Sequence, residues 1–400
     1  HHSRCFTLFM QPPSVPTPPQ SLVTPPEMRA HLDACLDQAG GWLSFDQFMA
    51  EALYAPGLGY YANALPKLGQ MPADGSDFVT APELSPVFAR TLAKQVSQAM
   101  ALCGVDAIWE FGGGSGALAE TLIETLLQDP ACALKQYVIV ELSAELRARQ
   151  QTRLLPYMSR LSIRWATEWP THLAAVVIGN EVLDAMPVSL LVRRNGRWLE
   201  RGVSRVIPAE GAGDWRLAWA DRPLQTPPPL TIAGEHDYTL EWHAQAQAWI
   251  VALAQAMDRG CVLLIDYGFT EAEYYHPQRH MGTLMCHQAH RADTNPLVAV
   301  GLKDITTHVD FTAIAVAAQD HGLAVMGFTS QGRFLINCGF LEVLQSASTE
   351  AQVQALKLIH EHEMGELFKV LILCKDRHTV DVNTAGGFIG FTAFDRSHTL

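Results

Sequence analysis

Several common signatures are missing from this sequence of 400 residues. Its eight cysteines form no C-x-x-C pair, and those in apolar runs, such as Cys261 and Cys374, have the surroundings of reduced core cysteines. No apolar run reaches the length of a transmembrane helix, so none is predicted. Basic residues are outnumbered, because 28 Lys and Arg stand against 41 Asp and Glu, a formal net charge of -13. Since such a surface repels phosphates, we expect no general nucleic-acid binder.

Metal-binding histidine patterns are also missing, although the chain has sixteen histidines. His360 and His362 lack the i, i+4 spacing of a zinc helix, and His287 and His290 have no carboxylate or cysteine set nearby. We therefore predict no metal site. For His290 and His308, orienting a substrate or satisfying buried backbone groups is the better interpretation.

The chain divides into four predicted regions. These are a disordered proline-rich leader (1–27), an N-terminal helical segment (28–102), a main domain (103–375) and a poorly anchored tail (376–400). Helices are predicted at 28–38, 44–54 and 86–102. Strands are predicted at 107–111, 136–141, 162–166, 174–179, 261–266, 323–329 and 368–374. Strands that alternate with helices predict an α/β fold with a doubly wound sheet.

Two stretches of the main domain do not fit this alternation. Residues 189–240 contain short β-like runs around Arg194-Asn-Gly-Arg197, a turn signal typical of a β-hairpin. Residues 269–303 form a long connection rich in His, Tyr and Arg. Long connections in compact α/β proteins are usually functional or mobile, so we predict that both insertions form a cap that faces the substrate.

A glycine-rich loop carries the strongest chemical signal. Glu110 is followed by Gly112, Gly114 and Gly116, between a predicted strand and a predicted helix. Glycine lets the backbone approach a ligand, and a helix N-terminus presents free N–H groups. Such a turn also occurs in dinucleotide enzymes, or is merely tight, but the G-x-G-x-x-G spacing of pyrophosphate binders is absent.

The next predicted strand ends in a second acid, Glu141, followed by Leu142. An acid at the tip of this strand is placed to accept both hydroxyls of a ribose. Together with the glycine loop, it favours a nucleoside without phosphates, such as S-adenosylmethionine. The predicted cofactor-binding residues here are Glu110, Gly112, Gly114, Gly116, Glu141 and Leu142.

The predicted fourth strand ends in Gly179-Asn-Glu-Val-Leu-Asp184. Ligands of open α/β sheets lie beyond the carboxyl ends of the strands, so Asn180 is predicted to meet the cofactor. If a helical turn begins here, Glu181 and Asp184 share one face and can hold a guanidinium. We predict these two carboxylates as catalytic residues. The alternative is that they only cap a helix.

Several segments together resemble one family, the MidA-like (DUF185) S-adenosylmethionine-dependent methyltransferases, whose mitochondrial members assist assembly of respiratory complex I. The segments are Gly59-Tyr-Tyr61, Asp77 to Ser85, Glu110 to Leu118, Val140 to Ser143, Gly179 to Val188, Ile265-Asp-Tyr-Gly268, Gly282-Thr-Leu284, Asp304 to Phe311 and Gln331 to Leu335. They run in the family's order over about residues 28–374.

The resemblance implies a class I methyltransferase fold that is Rossmann-like, with an antiparallel final hairpin, an N-terminal helical extension and insertions. It implies S-adenosylmethionine as cofactor, and methylation of an arginine in a protein partner. We expect a cytoplasmic location, with the mitochondrial matrix as the alternative, no membrane insertion, and leave a homodimer open.

Asp77 to Ser85 forms the other predicted wall of the site. In this interpretation, Thr80 binds the cofactor and Asp77-Phe78 folds over it, although capping by Thr80 and Glu83 explains that pair equally well. Gly75-Ser-Asp-Phe78 departs from the family pattern, which has glycine directly before the aspartate.

Three alternative functions stay open. They are methylation of a small molecule, a cofactor-binding assembly factor without turnover, and a nicotinamide oxidoreductase, which the glycine spacing disfavours.

Overall fold

A computed structural model of the chain describes residues 23–63, 80–207, 215–288, 291–375 and 387–400. The helices are α1 Pro26–Gln38, α2 Phe45–Tyr54, α3 Ala81–Leu84, α4 Pro86–Cys103, α5 Ala117–Gln128, α6 Ala144–Leu154, α7 Ala244–Ala256, α8 Glu271–Tyr274, α9 Phe311–Asp320, α10 Gln331–Asn337, α11 Phe340–Gln345, α12 Thr349–Leu356 and α13 Met364–Leu367. The strands are β1 Trp42–Ser44, β2 Ala107–Phe111, β3 Gln136–Val140, β4 Ser162–Ala166, β5 Leu173–Asn180, β6 Ser189–Arg194, β7 Arg197–Val206, β8 Arg216–Pro223, β9 Tyr238–Trp242, β10 Met257–Phe269, β11 Met285–Gln288, β12 Arg291–Asp293, β13 Asp304–Thr306, β14 Val309–Asp310, β15 Leu323–Ser330 and β16 Phe368–Lys375. Among the described helices, none combines the length and apolar character that a membrane span requires.

An eight-stranded sheet forms the centre of the molecule. Its order is β15-β16-β10-β5-β2-β3-β4, with the short β14 paired to β10. The five strands from β10 to β4 are parallel, whereas β16 is antiparallel to both of its neighbours. The predicted doubly wound α/β fold, with its antiparallel last pair, is therefore confirmed.

The apolar character of the central strands follows from burial on both faces. All five residues of β2 are buried, as is typical of parallel strands covered by helices on each side. On one face, Val96 of α4 and Leu122 of α5 belong to the core. On the other face, Ile250 of α7 and Ile314 of α9 do so. This packing leaves the strand ends as the places where polar side chains can gather.

The first insertion and the N-terminal segment build a second, antiparallel sheet. Its order is β1-β7-β6-β9, with β8 paired to β7. The predicted hairpin at Arg194-Asn-Gly-Arg197 is confirmed, since Asn195 and Gly196 take φ values of 50° and 72° between β6 and β7. Because β1 pairs with β7, the extension and the insertion share one sheet.

The helix α2 packs against this second sheet and ends close to the central one. Ser44 and Gln47 form a capping box at its start. Phe45 and Leu53 pack in one apolar cluster with Leu190 and Val203 of the second sheet. The last residue of α2 is Tyr54, whose hydroxyl donates to the Ala185 carbonyl at 2.8 Å, just beyond β5.

The expectation of a poorly anchored tail is wrong for residues 387–400. Phe388 and Phe391 are only 2% and 7% exposed. The Gly390 N–H donates to Gln95 Oε1 at 2.9 Å, and Arg396 pairs with Glu366 at 2.7 Å. Phe388, the N-cap of a short 3-10 turn, and Phe391, the last residue of that turn, hold the segment on the domain. Two aromatic side chains leave no helical or strand periodicity in the sequence.

Replacing Phe391 by alanine is expected to destabilise the protein by about 3–5 kcal/mol, since it leaves a cavity against Phe334 and Gly327. Urea unfolding measures this change. Phe394→Ala is the control, because Phe394 is 60% exposed and its loss should cost less than about 1 kcal/mol. Equal losses in the two variants would contradict the anchoring of this segment.

Candidate active site

The carboxyl ends of the parallel strands bring the polar segments to one edge of the sheet. Phe111 lies beside Gly179 on one neighbouring strand and Val140 on the other. Asn180 lies beside Ile265 of β10. The glycine loop, the acid after β3 and the turn after β5 therefore meet, although they are far apart in sequence.

The glycine loop presents bare backbone to this edge. Gly112, Gly114 and Gly116 have φ values of 68°, 52° and 84°, in the left-handed region that side chains disfavour. Gly113, a fourth glycine, is required for another reason: a Cβ there would lie 2.7 Å from Ile139 Cγ2. The loop thus has the close-approach surface that the sequence predicted.

Gln150 of α6 ties the loop to the neighbouring acid. Its Nε2 donates to the Gly114 carbonyl at 2.8 Å and lies 3.2 Å from Glu141 Oε2. Its Oε1 accepts from Trp165 Nε1 at 2.9 Å. Sequence reasoning missed Gln150, because it lies on a helix outside every quoted motif.

Glu110 lies beneath the loop. It is 2% exposed and accepts a hydrogen bond of 2.7 Å from the Tyr137 hydroxyl. Burial raises its pKa to about 7, and the charge of Glu141 adds to the rise. Its hydrogen bond joins β2 to β3, so Glu110 supports the loop from inside the sheet.

Glu141 and Leu142 offer an acceptor and an apolar surface side by side. Glu141 is 8% exposed, and its Oε1 accepts from the Ser143 N–H at 2.9 Å. Burial raises the pKa of Glu141, and the hydrogen bonds from Ser143 and Gln150 offset part of that rise. Each carboxylate oxygen has a second lone pair, so the group can still accept from a diol. Leu142 is 73% exposed, and the set fits a nucleoside.

Thr80 stands at the start of α3, beside the loop. Its carbonyl accepts from the N–H of Leu84 at 2.9 Å, but its side chain makes no capping hydrogen bond. The carboxylate of Glu83 instead accepts from the Ser115 hydroxyl in the glycine loop. The side-chain capping alternative is therefore wrong, and α3 is attached to the loop. Asp77 and Phe78 lie outside the described residues.

The turn after β5 is not helical, contrary to expectation. Glu181 has a left-handed φ of 53°, and its N–H donates to the Ile265 carbonyl at 2.9 Å. Asp266 Oδ2 accepts from the N–H groups of Leu183 and Asp184 at 3.0 and 3.3 Å. A carboxylate from β10, rather than helical hydrogen bonds, thus fixes the turn.

Three carboxyl groups meet at this turn, two from the turn itself and Asp266 from β10. Burial raises the pKa of Glu181 to about 8, and the Asp184 charge adds to the rise. Burial also raises the pKa of Asp184 to about 6. The pKa of Asp266 lies well above its ordinary value through burial and the charges of its two neighbours. In the part of the chain that the structure describes, no Lys or Arg forms an ion pair with them.

Two buried acceptors of this turn accept no hydrogen bond from any described residue. They are Asn180 Oδ1 and Asp184 Oδ1. Buried polar oxygens normally accept a hydrogen bond. A ligand with several N–H donors would supply the hydrogen bonds that these two oxygens lack. The carboxyl groups of this turn supply the matching negative charge once they are ionised.

Tyrosines enclose the same region. Burial and the neighbouring charge of Asp184 raise the pKa of Tyr267, and the Tyr61 hydroxyl donates to Asp304 Oδ1 at 2.9 Å. Tyr54 and Tyr61 stack with ring centres 5.6 Å apart. These residues form a wall of aromatic and acidic groups around the turn.

Sequence reasoning assigned no role to Asp266, Tyr267, Tyr61 or Asp304, although each lies in a segment that carried the resemblance. The sequence feature that could have identified these four residues is their place in the segments that match the family in order. His308, by contrast, had been singled out. Its ring stacks on Phe269, and burial lowers its pKa to about 4. His290 lies outside the described residues.

Comparison with known proteins agrees with this geometry. A family of S-adenosyl-L-methionine-dependent methyltransferases matches residues 91–329. A protein from Burkholderia thailandensis, crystallised with S-adenosyl-homocysteine, is 42% identical, covers 95% of this chain and 100% of its own, and superposes with a TM-score of 0.87.

Two curated relatives are more distant. The zebrafish (Danio rerio) protein arginine methyltransferase NDUFAF7, mitochondrial, is 28% identical over 82% of this chain and 80% of its own. The Drosophila melanogaster homolog is 26% identical over 72% of this chain and 70% of its own.

The family match, the bound cofactor product in the Burkholderia structure and the sheet order remove the nicotinamide alternative. The bare glycine loop, the Glu141 acceptor and the exposed Leu142 fit S-adenosylmethionine. This chain belongs to the family of S-adenosyl-L-methionine-dependent methyltransferases.

Proposed function

We propose that this methyltransferase acts on an arginine guanidinium of a protein partner. The observation that carries the proposal is the turn after β5. Among the described residues, its buried carboxyl groups have no basic partner, and no group donates a hydrogen bond to Asn180 Oδ1 or Asp184 Oδ1. A guanidinium brings one positive charge and five N–H donors in a planar fork. The relatives named protein arginine methyltransferases support the same substrate class.

The bound cofactor supplies an electrophilic methyl group on a sulfonium sulfur. Glu181 and Asp184 orient the guanidinium by charge-assisted hydrogen bonds, so that one nitrogen faces that methyl carbon. As the N–C bond forms and the S–C bond breaks, this nitrogen loses a proton. Glu181, whose pKa is about 8, is suited to accept it near neutral pH.

The proposal assigns the cofactor to Gly112, Gly114, Gly116, Glu141 and Leu142, with Asn180 and Thr80 at the methyl-bearing end and Glu110 as support. The N-terminal segment covers this region, and the insertions 189–240 and 269–303 select the substrate. Tyr54 of α2 supports this assignment of the insertions, because it packs in the apolar cluster of the second sheet and also donates a hydrogen bond to Ala185, just after the turn that follows β5. We place the reaction in the cytoplasm, with the mitochondrial matrix as alternative because the curated relatives are named mitochondrial.

The activity should rise with pH over the range in which the two carboxyl groups ionise. A cation is held only by the ionised forms, and the free protein has pKa values of about 6 for Asp184 and about 8 for Glu181. We expect kcat/KM to increase from pH 6 to 8, because kcat/KM follows the ionisation of the free enzyme. In Glu181→Gln the upper part of the rise should disappear. An unchanged profile in that variant would contradict its role.

The direct test is incubation of the purified protein with methyl-labelled cofactor and cell extract, followed by identification of the labelled species. We expect label on arginine of a protein, and a strongly reduced initial rate of labelling with Asp184→Asn. Label only in the small-molecule fraction would favour a metabolite methyltransferase. Capture of a partner with intact cofactor binding and no labelled product would favour an assembly factor without turnover.

A further inference from the structure

Three side chains with metal-binding atoms meet where α1 packs on α2. His31 and Cys35 lie one turn apart on α1, and Glu51 lies on α2. One ligand atom from each lies within 4.8 Å of the other two. The side chains of His31 and Glu51 are 31% and 35% exposed, and Cys35 is half-buried, so an ion can reach them from solvent.

The contacts in this cluster converge on one nitrogen. His31 Nε2 lies 2.6 Å from Glu51 Oε2 and 3.6 Å from Cys35 Sγ. A ring nitrogen carries either one hydrogen or one lone pair, so it cannot donate fully to the carboxylate and accept from the thiol at the same time. A cation between the three groups would use the imidazole lone pair, the thiolate and the carboxylate together.

We propose that His31, Cys35 and Glu51 bind a zinc ion, with a fourth position open to water. Imidazole nitrogen, thiolate and carboxylate are all zinc ligands at about 2.0–2.3 Å, which places tetrahedral neighbours roughly 3.5 Å apart. The distance of 3.6 Å between Cys35 Sγ and His31 Nε2 already matches this separation of neighbouring zinc ligands. The Nε2–Oε2 distance of 2.6 Å must widen, which rotation of the partly exposed Glu51 side chain permits.

The charges of the cluster favour a divalent cation. One thiolate and one carboxylate would balance two positive charges, so the occupied site is neutral. Zinc binds the thiolate form of Cys35, so binding releases the proton of the thiol. The site requires no other charged residue.

A second cluster of possible ligands, Cys103, Cys261 and Cys374, does not support a zinc site. All three lie in the apolar core, and their thiols are buried. Three thiolates around a divalent ion would leave a net negative charge there, which is costly. Neutral thiols pack in such surroundings without an ion.

The test uses the full-length protein after removal of bound metal with a chelator. Zinc titration by calorimetry should give one site that raises the thermal midpoint, and Co²⁺ should show a thiolate charge-transfer band. Cys35→Ser, Glu51→Gln and His31→Ala should each weaken zinc binding by at least about tenfold, and Cys35→Ser should abolish the band. The first two substitutions keep side-chain shape, and retained cofactor binding verifies folding.

Two matched variants separate this site from other thiols and imidazoles. Cys132→Ser removes another half-buried thiol, and His172→Ala removes an exposed histidine that lies 3.1 Å from Asp258. Both should bind zinc like the unmodified protein. Unchanged zinc affinity in Cys35→Ser and Glu51→Gln, or a cobalt spectrum without a thiolate band, would overturn the proposal. Neither result depends on the methyl acceptor.

Discussion

Asp184→Asn and Glu181→Gln are expected to lower methyl transfer strongly while leaving cofactor affinity almost unchanged. On the proposed mechanism each removes one charged partner of a desolvated guanidinium contact, a loss of about 2–5 kcal/mol, or roughly 30-fold or more in rate. The side-chain shapes are kept, so the turn after β5 should persist. Rates and cofactor affinity are measured on the same folded variants, with label transfer and calorimetry.

Asp258→Asn is the control for these variants, since Asp258 is an exposed carboxylate that pairs only with His172 among the described residues. Its transfer rate should equal that of the unmodified protein. If Asp184→Asn instead loses cofactor binding and transfers normally at saturating cofactor, the turn belongs to the cofactor subsite and not to the acceptor.

Gly114→Val is expected to reduce cofactor binding to a level that calorimetry barely detects. Gly114 has a φ of 52°, so a branched side chain there is strained, and it would also cover the backbone at which we propose that the cofactor binds. Gly196→Val is the matched control, because Gly196 has a φ of 72° with open space around it and lies at the hairpin tip. Gly196→Val introduces the same kind of backbone strain at a position distant from the glycine-rich loop.

Glu141→Ala should weaken cofactor binding by about 2–3 kcal/mol, since two charge-assisted hydrogen bonds are lost. Glu145→Ala, in which a half-buried partner of Arg149 is removed, should have no such effect. Normal cofactor affinity in folded Gly114→Val and Glu141→Ala would show that the nucleoside binds elsewhere.

The cluster of His31, Cys35 and Glu51 is an arrangement that sequence patterns alone could not reveal. We predicted no metal site, because the histidines lacked the spacing of known zinc motifs. His31 and Cys35 do have a one-turn spacing, but Glu51 joins them only because α2 packs against α1. A ligand set drawn from two helices leaves no single pattern in the sequence.

The sequence by itself determined the central fold and the glycine loop. Buried parallel strands require continuous apolar runs, and a loop with three left-handed residues requires glycine, so both leave a local pattern. The acid after β3 was found for the same reason, since it directly follows an apolar run.

Only the tertiary structure decided how the turn after β5 is held and what anchors the last residues of the chain. The carboxylate of Asp266 holds this turn in place of the predicted helical hydrogen bonds. Asp266 can do so because it lies on a neighbouring strand, although it is 82 residues after Asp184. Gln150 joins the Gly114 carbonyl to Glu141 across a third element, and Phe391 anchors the last residues on Gly327. Each of these contacts joins residues distant in sequence, and local propensity or periodicity cannot encode such a pairing, because it exists only once the sheet has assembled.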